Sequence, residues 1–332
     1  MGISYLYEGH IALARESYAA ALKEFDQLKE TRGAIMVRQN LAAADFEAGD
    51  FGSALRAYEQ LEPIARRSSD DAQLMDIAAN TAVIYSVTDQ PDKALAGYAA
   101  ALAMQERASD MQGVARSNHG IAGVYMRMGR ADRALTYYRE ALRIRGEIED
   151  GRGLVATLTA MGDAARELGA FKDSERAHGE ALTLAKSDRE LARAHLSVAL
   201  DCLAAGRVDC RRRGIEAVLQ SSLPPEHPLR ARALEESTLL QQGAAATEQV
   251  LKSLAHVEAT YAALGSPGDV ARVDYRAAVV ARDAGLVDEA LSLVGKSIGE
   301  LEAVRGRIAT PEVRARLLED ANAPYDLRAD LL

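Results

Sequence analysis

Apolar and small side chains recur along this chain at a helical period, and the whole helical pattern returns every forty residues. Tyr18, Tyr58, Tyr98, Tyr138 and His178 stand forty apart. Nine residues before each comes Gly9, Gly49, Asp89, Gly129 or Gly169, and five residues after that position comes Ala14, Ala54, Ala94, Ala134 or Ser174. Ala21, Leu61, Ala101, Ala141 and Ala181 follow the ring by three, while Ala42, Ala82, Ala122 and Gly162 lie seven before a turn. This order predicts a helix, a stop at a residue able to take positive φ, and a second helix lying back on the first through the small residues. The ring then fills the space between one hairpin and the next. A hairpin of this kind cannot bury its apolar stripe alone, so successive hairpins must stack, and the chain reads as a repeat array without a single compact core.

The small, small and aromatic positions resemble those of the tetratricopeptide repeat, over at least residues 1 to 220. Four units match closely, and the fifth, with its turn at Gly169, carries Ser174 and His178 in place of the usual pair. The common period of that family is about 34 residues. The longer spacing here resembles the long repeats of kinesin light chains and of Leu-Gly-Asn-type regulators of G-protein signalling. Asn40-Leu41-Ala42 is similar to the Asn-Leu-Gly element of those proteins, with a fainter echo at Asn80-Thr81-Ala82. The resemblance implies an all-α fold, a right-handed α-solenoid of about eight hairpin units.

Beyond residue 200 the register drifts. Gly206 begins a sixth turn after an interval of 37, with Ala199 in the small position, Arg211 where alanine is expected and Ile215 for the ring. Ser221-Ser222-Leu223-Pro224-Pro225-Glu226-His227-Pro228 is the strongest helix breaker in the chain. A weakly marked pair is expected over 229 to 264, and Ala278, Ala284-Gly285, Ala290-Leu291 and Val294 mark an eighth. The chain thus reads as a regular array over 1–220, divergent units over 221–298 and a terminal segment over 299–332. In that last segment Thr310-Pro311-Glu312 reads as an N-cap, a proline in the first helical position and an acidic first turn. The arginine- and glutamate-bearing helix before it, and Tyr325 and Leu331-Leu332 after it, resemble the connector of CHAT proteins, caspase-like peptidases preceded by tetratricopeptide arrays. Met1-Gly2 falls in mid-helix of the first unit and Leu332 ends on an apolar pair, so both ends are expected to be internal to a longer protein.

Charge and composition narrow the function. A net charge of −9 disfavours a general nucleic-acid binder. No apolar run approaches the roughly 20 residues that span a bilayer, and no signal-peptide pattern opens the chain. Cys202 and Cys210 lack a second Cys or His pair at metal-ligand spacing. They read as buried free thiols of a reducing, cytoplasmic compartment. Gly146, Gly151 and Gly153 lack the Gly-Lys-Ser/Thr of a phosphate loop, and Arg211-Arg212-Arg213 reads as a solvated basic face, with an anionic partner as the alternative. No metal or cofactor is expected, and no Ser/His/Asp or paired-carboxylate arrangement suggests an enzyme within the chain.

The expected working surface is the concave face lined by the first helix of each hairpin. Its residues outside core positions include Met36, Gln39, Asn40, Asp76, Asn80, Arg116, His119, Thr159, Asp163 and Arg166. Asparagine amides both donate and accept, so Asn40 and Asn80 suit the backbone of an extended peptide, as the resemblance to the long-repeat proteins also implies; a local cap is the other reading. Gln39, Ala79, His119 and Thr159 fill one row where chaperone-tail-binding relatives carry a lysine and asparagine clamp, so a C-terminal carboxylate is not favoured. The expectation is a non-catalytic protein- or peptide-binding scaffold, regulatory to a CHAT-type protease domain. The alternative is the ligand-sensing region of a bacterial transcriptional or nucleotide-switch regulator.

Overall fold

A computed structural model describes residues 11–28, 30–47, 50–68, 70–88, 90–240, 247–307 and 322–332. Every regular element among them is helical. In chain order they are α1 (Ile11–Gln27), α2 (Thr31–Glu47), α3 (Phe51–Ser68), α4 (Asp71–Val87), α5 (Pro91–Arg107), α6 (Met111–Arg127), α7 (Ala131–Glu147) and α8 (Gly151–Glu167). There follow α9 (Phe171–Leu184), α10 (Asp188–Ala204), α11 (Val208–Leu219), α12 (Pro228–Leu240), α13 (Thr247–Ala263), α14 (Pro267–Asp283), α15 (Val287–Arg307) and α16 (322–331). Two compact units are formed, Met1–Val124 and Tyr125–Leu332. Each is a stack of antiparallel hairpins, which is the all-α solenoid architecture the repeat pattern predicts.

The repeating positions form the core. Tyr18, Tyr58, Tyr98, Tyr138 and His178 are all buried, as are Ala14, Ala54, Ala94, Ala134 and Ser174. Ala42, Ala82 and Ala122 are fully buried and let paired helices approach closely. A Cβ added at Gly120 would overlap the Tyr98 ring, so α5 and α6 meet at a distance only glycine permits. Gly129, Gly169, Gly206 and Gly285 take φ of 75°, 72°, 67° and 77°, the left-handed conformation expected between the two helices of a hairpin. The expected turns at Gly9, Gly49 and Asp89, the truncated first helix and the helix from Thr310 lie outside the described residues.

A second ladder, not read from the sequence, holds the junctions between hairpins. Asp70, Asp110 and Asp150 each accept a hydrogen bond from the backbone N–H three residues on, at Gln73, Gly113 and Gly153. Ser187 and Glu190 close a reciprocal capping box at the next junction. Each cap satisfies a donor that the first turn of a helix would otherwise leave unpaired.

The cysteines correct an expectation. The Gly206 turn brings Cys202, late in α10, and Cys210, in the first turns of α11, to a Cα separation of 5.9 Å, and the two form a disulfide. The free-thiol reading sets aside only a metal site; a tight hairpin turn also makes two cysteines eight residues apart into neighbours able to pair. The argument for a reducing compartment based on free thiols falls with it.

Candidate functional site

In the unit formed by residues 1–124, α2 and α4 carry Met36, Gln39, Asn40, Asp76 and Asn80 along adjacent first helices. Met36, Gln39 and Asp76 line one groove of about 420 Å³ together with Phe25, Gly33 and Gln73. Its polar groups are unusual. The Gln39 Nε2 donor and the Gln73 Oε1 acceptor are both buried, and neither has a hydrogen-bond partner among the described residues. An unpaired buried amide group costs about 1–3 kcal/mol, so a ligand able to satisfy both would regain that cost on binding.

The groove is acidic at one end. Asp76 lies 3.8 Å from Arg116, with both side chains more than half exposed, a pairing that contributes little by itself. Burial raises the Asp76 carboxyl above its usual range, Arg116 opposes that, and Asp110 and Asp70 add to it. Asn80 is exposed and its amide hydrogen-bonds the Tyr58 phenol, which burial pushes up to about 12. Asn40 is half-buried on the same helix as Gln39, and His119 is half-buried on α6. The sequence reading named Gln39 but not Gln73, whose side-chain burial no repeat position marks.

In the unit formed by residues 125–332, Thr159, Asp163 and Arg166 lie on α8 in a different setting. Thr159 is buried and its hydroxyl donates to the Val155 carbonyl at 2.8 Å. Arg166 Nη2 meets Asp163 at 2.5 Å, and its Nη1 meets Asp201 of α10 at 3.0 Å. His178 lies between them, with Nδ1 2.6 Å from Asp201 Oδ2 and Nε2 3.1 Å from the Thr159 carbonyl. Burial alone would lower the His178 pKa, but Asp163 and Asp201 outweigh it and raise it to about 9.

Ser174 donates to Asp201 at 2.7 Å, so serine, histidine and aspartate do come together here, which the sequence reading did not expect. The arrangement does not suit nucleophilic catalysis. All three are buried, Ser174 and Asp201 share the Nδ1 side of the ring, and Nε2, the nitrogen a triad would use as base, points at a backbone carbonyl. Its origin is legible in the repeat. Ser174 replaces an alanine, His178 a tyrosine, and Asp201 stands two after the small position, where the other units carry Ala44, Ile84, Val124 and Ala164. Three polar replacements at one junction satisfy one another.

A similar exchange occurs further along. Arg211, in the alanine position, meets the buried Glu236 of α12 at 2.5 Å. Arg232, Arg272 and Arg276 complete a cluster around Glu235 and Glu236. Burial would raise the Glu236 carboxyl, but Arg276, Arg232 and Arg211 hold it below its usual range. Arg211 is therefore a packing cation, and Arg212 and Arg213 alone form the exposed basic face. Among the described residues no group of His, Cys, Asp and Glu is placed to hold a metal, and no helix is long and apolar enough to cross a membrane.

Comparison with known proteins agrees with the fold. Residues 113–187 match the model of a tetratricopeptide repeat. No curated protein matches the chain. Among solved structures, the apo form of the quorum sensor NprR from B. thuringiensis is similar at a TM-score of 0.66 and 15% identity, covering 99% of this chain and 85% of that one. The Rap conjugation gene regulator of the plasmid pLS20, in complex with the Phr* peptide, gives 0.63 and 13% over 85% and 80% of the two chains. A tetratricopeptide repeat protein from Parabacteroides merdae ATCC 43184 gives 0.53 and 15% over 78% and 90%. The matched repeats lie within residues 113–187, and the architecture shared with these structures is that of a helical-hairpin solenoid.

Proposed function

We propose that the chain is a non-catalytic peptide-sensing module that reads an extended peptide along the first helices α2 and α4. The carrying observation is the pair of unpartnered amide groups in one groove, the Gln39 donor and the Gln73 acceptor. A peptide unit offers one carbonyl and one N–H, the complement of that pair. Asp76 adds a preference for a basic side chain beside the bound backbone, and Met36 and Phe25 supply apolar contact. Two of the structural neighbours bear names of the same kind, a quorum sensor and a regulator bound to a peptide, which supports the reading by analogy of fold. In this account Asn40 and Asn80 extend the contact along the same helices, and Arg116 and His119 extend it onto α6. Thr159, Asp163 and Arg166 stand apart from it, engaged in the packing of α8 against α9 and α10.

The output of such a module depends on what it is joined to. The resemblance of residues 299–332 to the CHAT connector supports a downstream caspase-like protease. The sensor-type neighbours support a transcriptional or nucleotide-switch regulator. The encoding gene decides between them: a His and Cys pair in an α/β domain after Leu332 selects the first, a winged-helix or P-loop domain the second. The peptide reading is tested by selecting a displayed random heptapeptide library on the protein. Enriched peptides should lose at least tenfold in affinity to Gln39→Ala and to Gln73→Ala. Selection of nothing, or peptides indifferent to both changes, would refute it.

A further inference from the structure

A different cavity, within the unit formed by residues 125–332, has the features of a site in its own right. It measures about 570 Å³ and lies between α13, α14 and α15, a size suited to a small ligand. Leu251, Leu254, Val273 and Leu293 give it apolar walls. Asp274 of α14 also lines it. This carboxylate is only 5% exposed, yet it makes no hydrogen bond or ion pair among the described residues. An ionised carboxylate buried without a partner is strongly disfavoured, and native proteins normally pair it.

The charges around the cavity indicate what is missing. From α13 it is faced by Glu248, Lys252 and Glu258, and from α15 by Glu289 and Lys296. Lys252 is paired with Glu248 at 2.7 Å, so the two cancel. That leaves one exposed lysine, Lys296, against Glu258, Asp274 and Glu289, and it lies beyond ion-pair distance of Asp274. Burial, with Glu258 beside it, pushes the Asp274 carboxyl up to about 6, against the opposing pull of Lys296 and with Glu300 adding to the rise. At pH 7 the group is therefore mostly ionised, beside the apolar walls, with no cation within ion-pair distance.

We infer that the cavity between α13, α14 and α15 binds an amphipathic cation, an alkyl or aryl group ending in an ammonium or guanidinium that pairs with Asp274. The apolar body would replace water against Leu251, Leu254, Val273 and Leu293. The cation would supply the donors that Asp274 lacks, in a charge-assisted hydrogen bond stronger than a neutral one. Free amines and the lysine or arginine side chain of a peptide share this chemistry. The cavity draws on the second helices α13 and α15, so the inference does not depend on the peptide reading of α2 and α4.

Hexylamine, hexanol and hexanoate titrated into the full chain at pH 7.5, with binding followed by calorimetry, test it directly. Hexylamine should bind saturably, and hexanol and hexanoate at least tenfold more weakly. Asp274→Asn keeps the shape and removes the charge. It should raise the melting temperature and weaken hexylamine at least tenfold. N-acetyl-leucyl-lysine amide distinguishes the sources: its binding extends the site to peptide side chains, and its failure beside bound hexylamine confines the site to free amines. No binding of hexylamine, equal binding of hexanol, or undiminished binding by Asp274→Asn would each overturn the inference.

Discussion

The junction between α9 and α10 yields the most quantitative prediction. Both ring nitrogens of His178 face acceptors, Nδ1 the Asp201 carboxylate and Nε2 the Thr159 carbonyl, so the ring must carry both protons and a positive charge. Its folded pKa of about 9 lies above the ordinary 6.5. A group whose pKa rises on folding stabilises most below its unfolded pKa. At about 1.4 kcal/mol per pH unit the contribution is about 3 kcal/mol below pH 6.5. It declines as pH rises through the window from 6.5 to 9 and is lost above it. Urea unfolding at pH 6 and at pH 9.5, followed by far-UV circular dichroism, should show that loss, and hydrogen exchange should place it in α9 and α10. Asp201→Ala removes the carboxylate shared by His178 Nδ1 and Arg166, leaving Asp163 as the ring's remaining counter-charge, and should cost about 3 kcal/mol at pH 6. The triple change Ser174→Ala, His178→Tyr, Asp201→Ala restores the pattern of the neighbouring repeats, and should recover all but about 1 kcal/mol of that cost, because apolar packing commonly replaces a buried ion pair without loss. A flat profile between pH 6 and pH 9.5, or a triple variant no better than Asp201→Ala, would refute the reasoning.

Other consequences are simpler to check. Gly120→Ala forces a methyl into the Tyr98 ring and should cost about 1–3 kcal/mol by overpacking, read as a lower melting temperature. Tyr98→Ala at the same contact should cost about 3–5 kcal/mol, and an unchanged melting temperature would mean the ring does not fill the space between hairpins. Reduction of Cys202–Cys210 removes a short loop closure and should lower stability by about 2–3 kcal/mol; two reactive thiols in the unreduced, denatured protein would contradict the pairing. Asn80→Ala should leave folding nearly intact while weakening a selected peptide, and equal loss of both would make its bond to the Tyr58 phenol structural.

The forty-residue ladder exposed the fold because steric demands repeat with the structure. Only small residues allow Ala82 or Ala122 to sit at a helix contact, and only a ring fills the gap at Tyr58 or Tyr98. Positive φ at Gly129 and Gly169 follows from the same logic. The caps at Asp70, Asp110 and Asp150 obey that period too and were there to be read; a turn aspartate carries no apolar signal, so a search for core positions passes over it. Polar replacements were harder. Ser174, His178 and Arg211 look like losses from the pattern until Asp201 and Glu236, distant in sequence, are seen to compensate them. The candidate groove was half legible. Met36, Gln39 and Asp76 follow from the outward face of α2 and α4, whereas the unsatisfied amide of Gln73 depends on burial by neighbouring side chains, which no sequence period encodes. Asp274 was invisible for the same reason.

Hydrogen exchange on the full chain, with and without a selected heptapeptide, tests the central claim most directly. The account predicts slowed exchange in α2 around Gln39 and in α4 around Gln73 and Asp76. Slowed exchange confined to the second helices of the hairpins, with α2 and α4 unchanged, would contradict it.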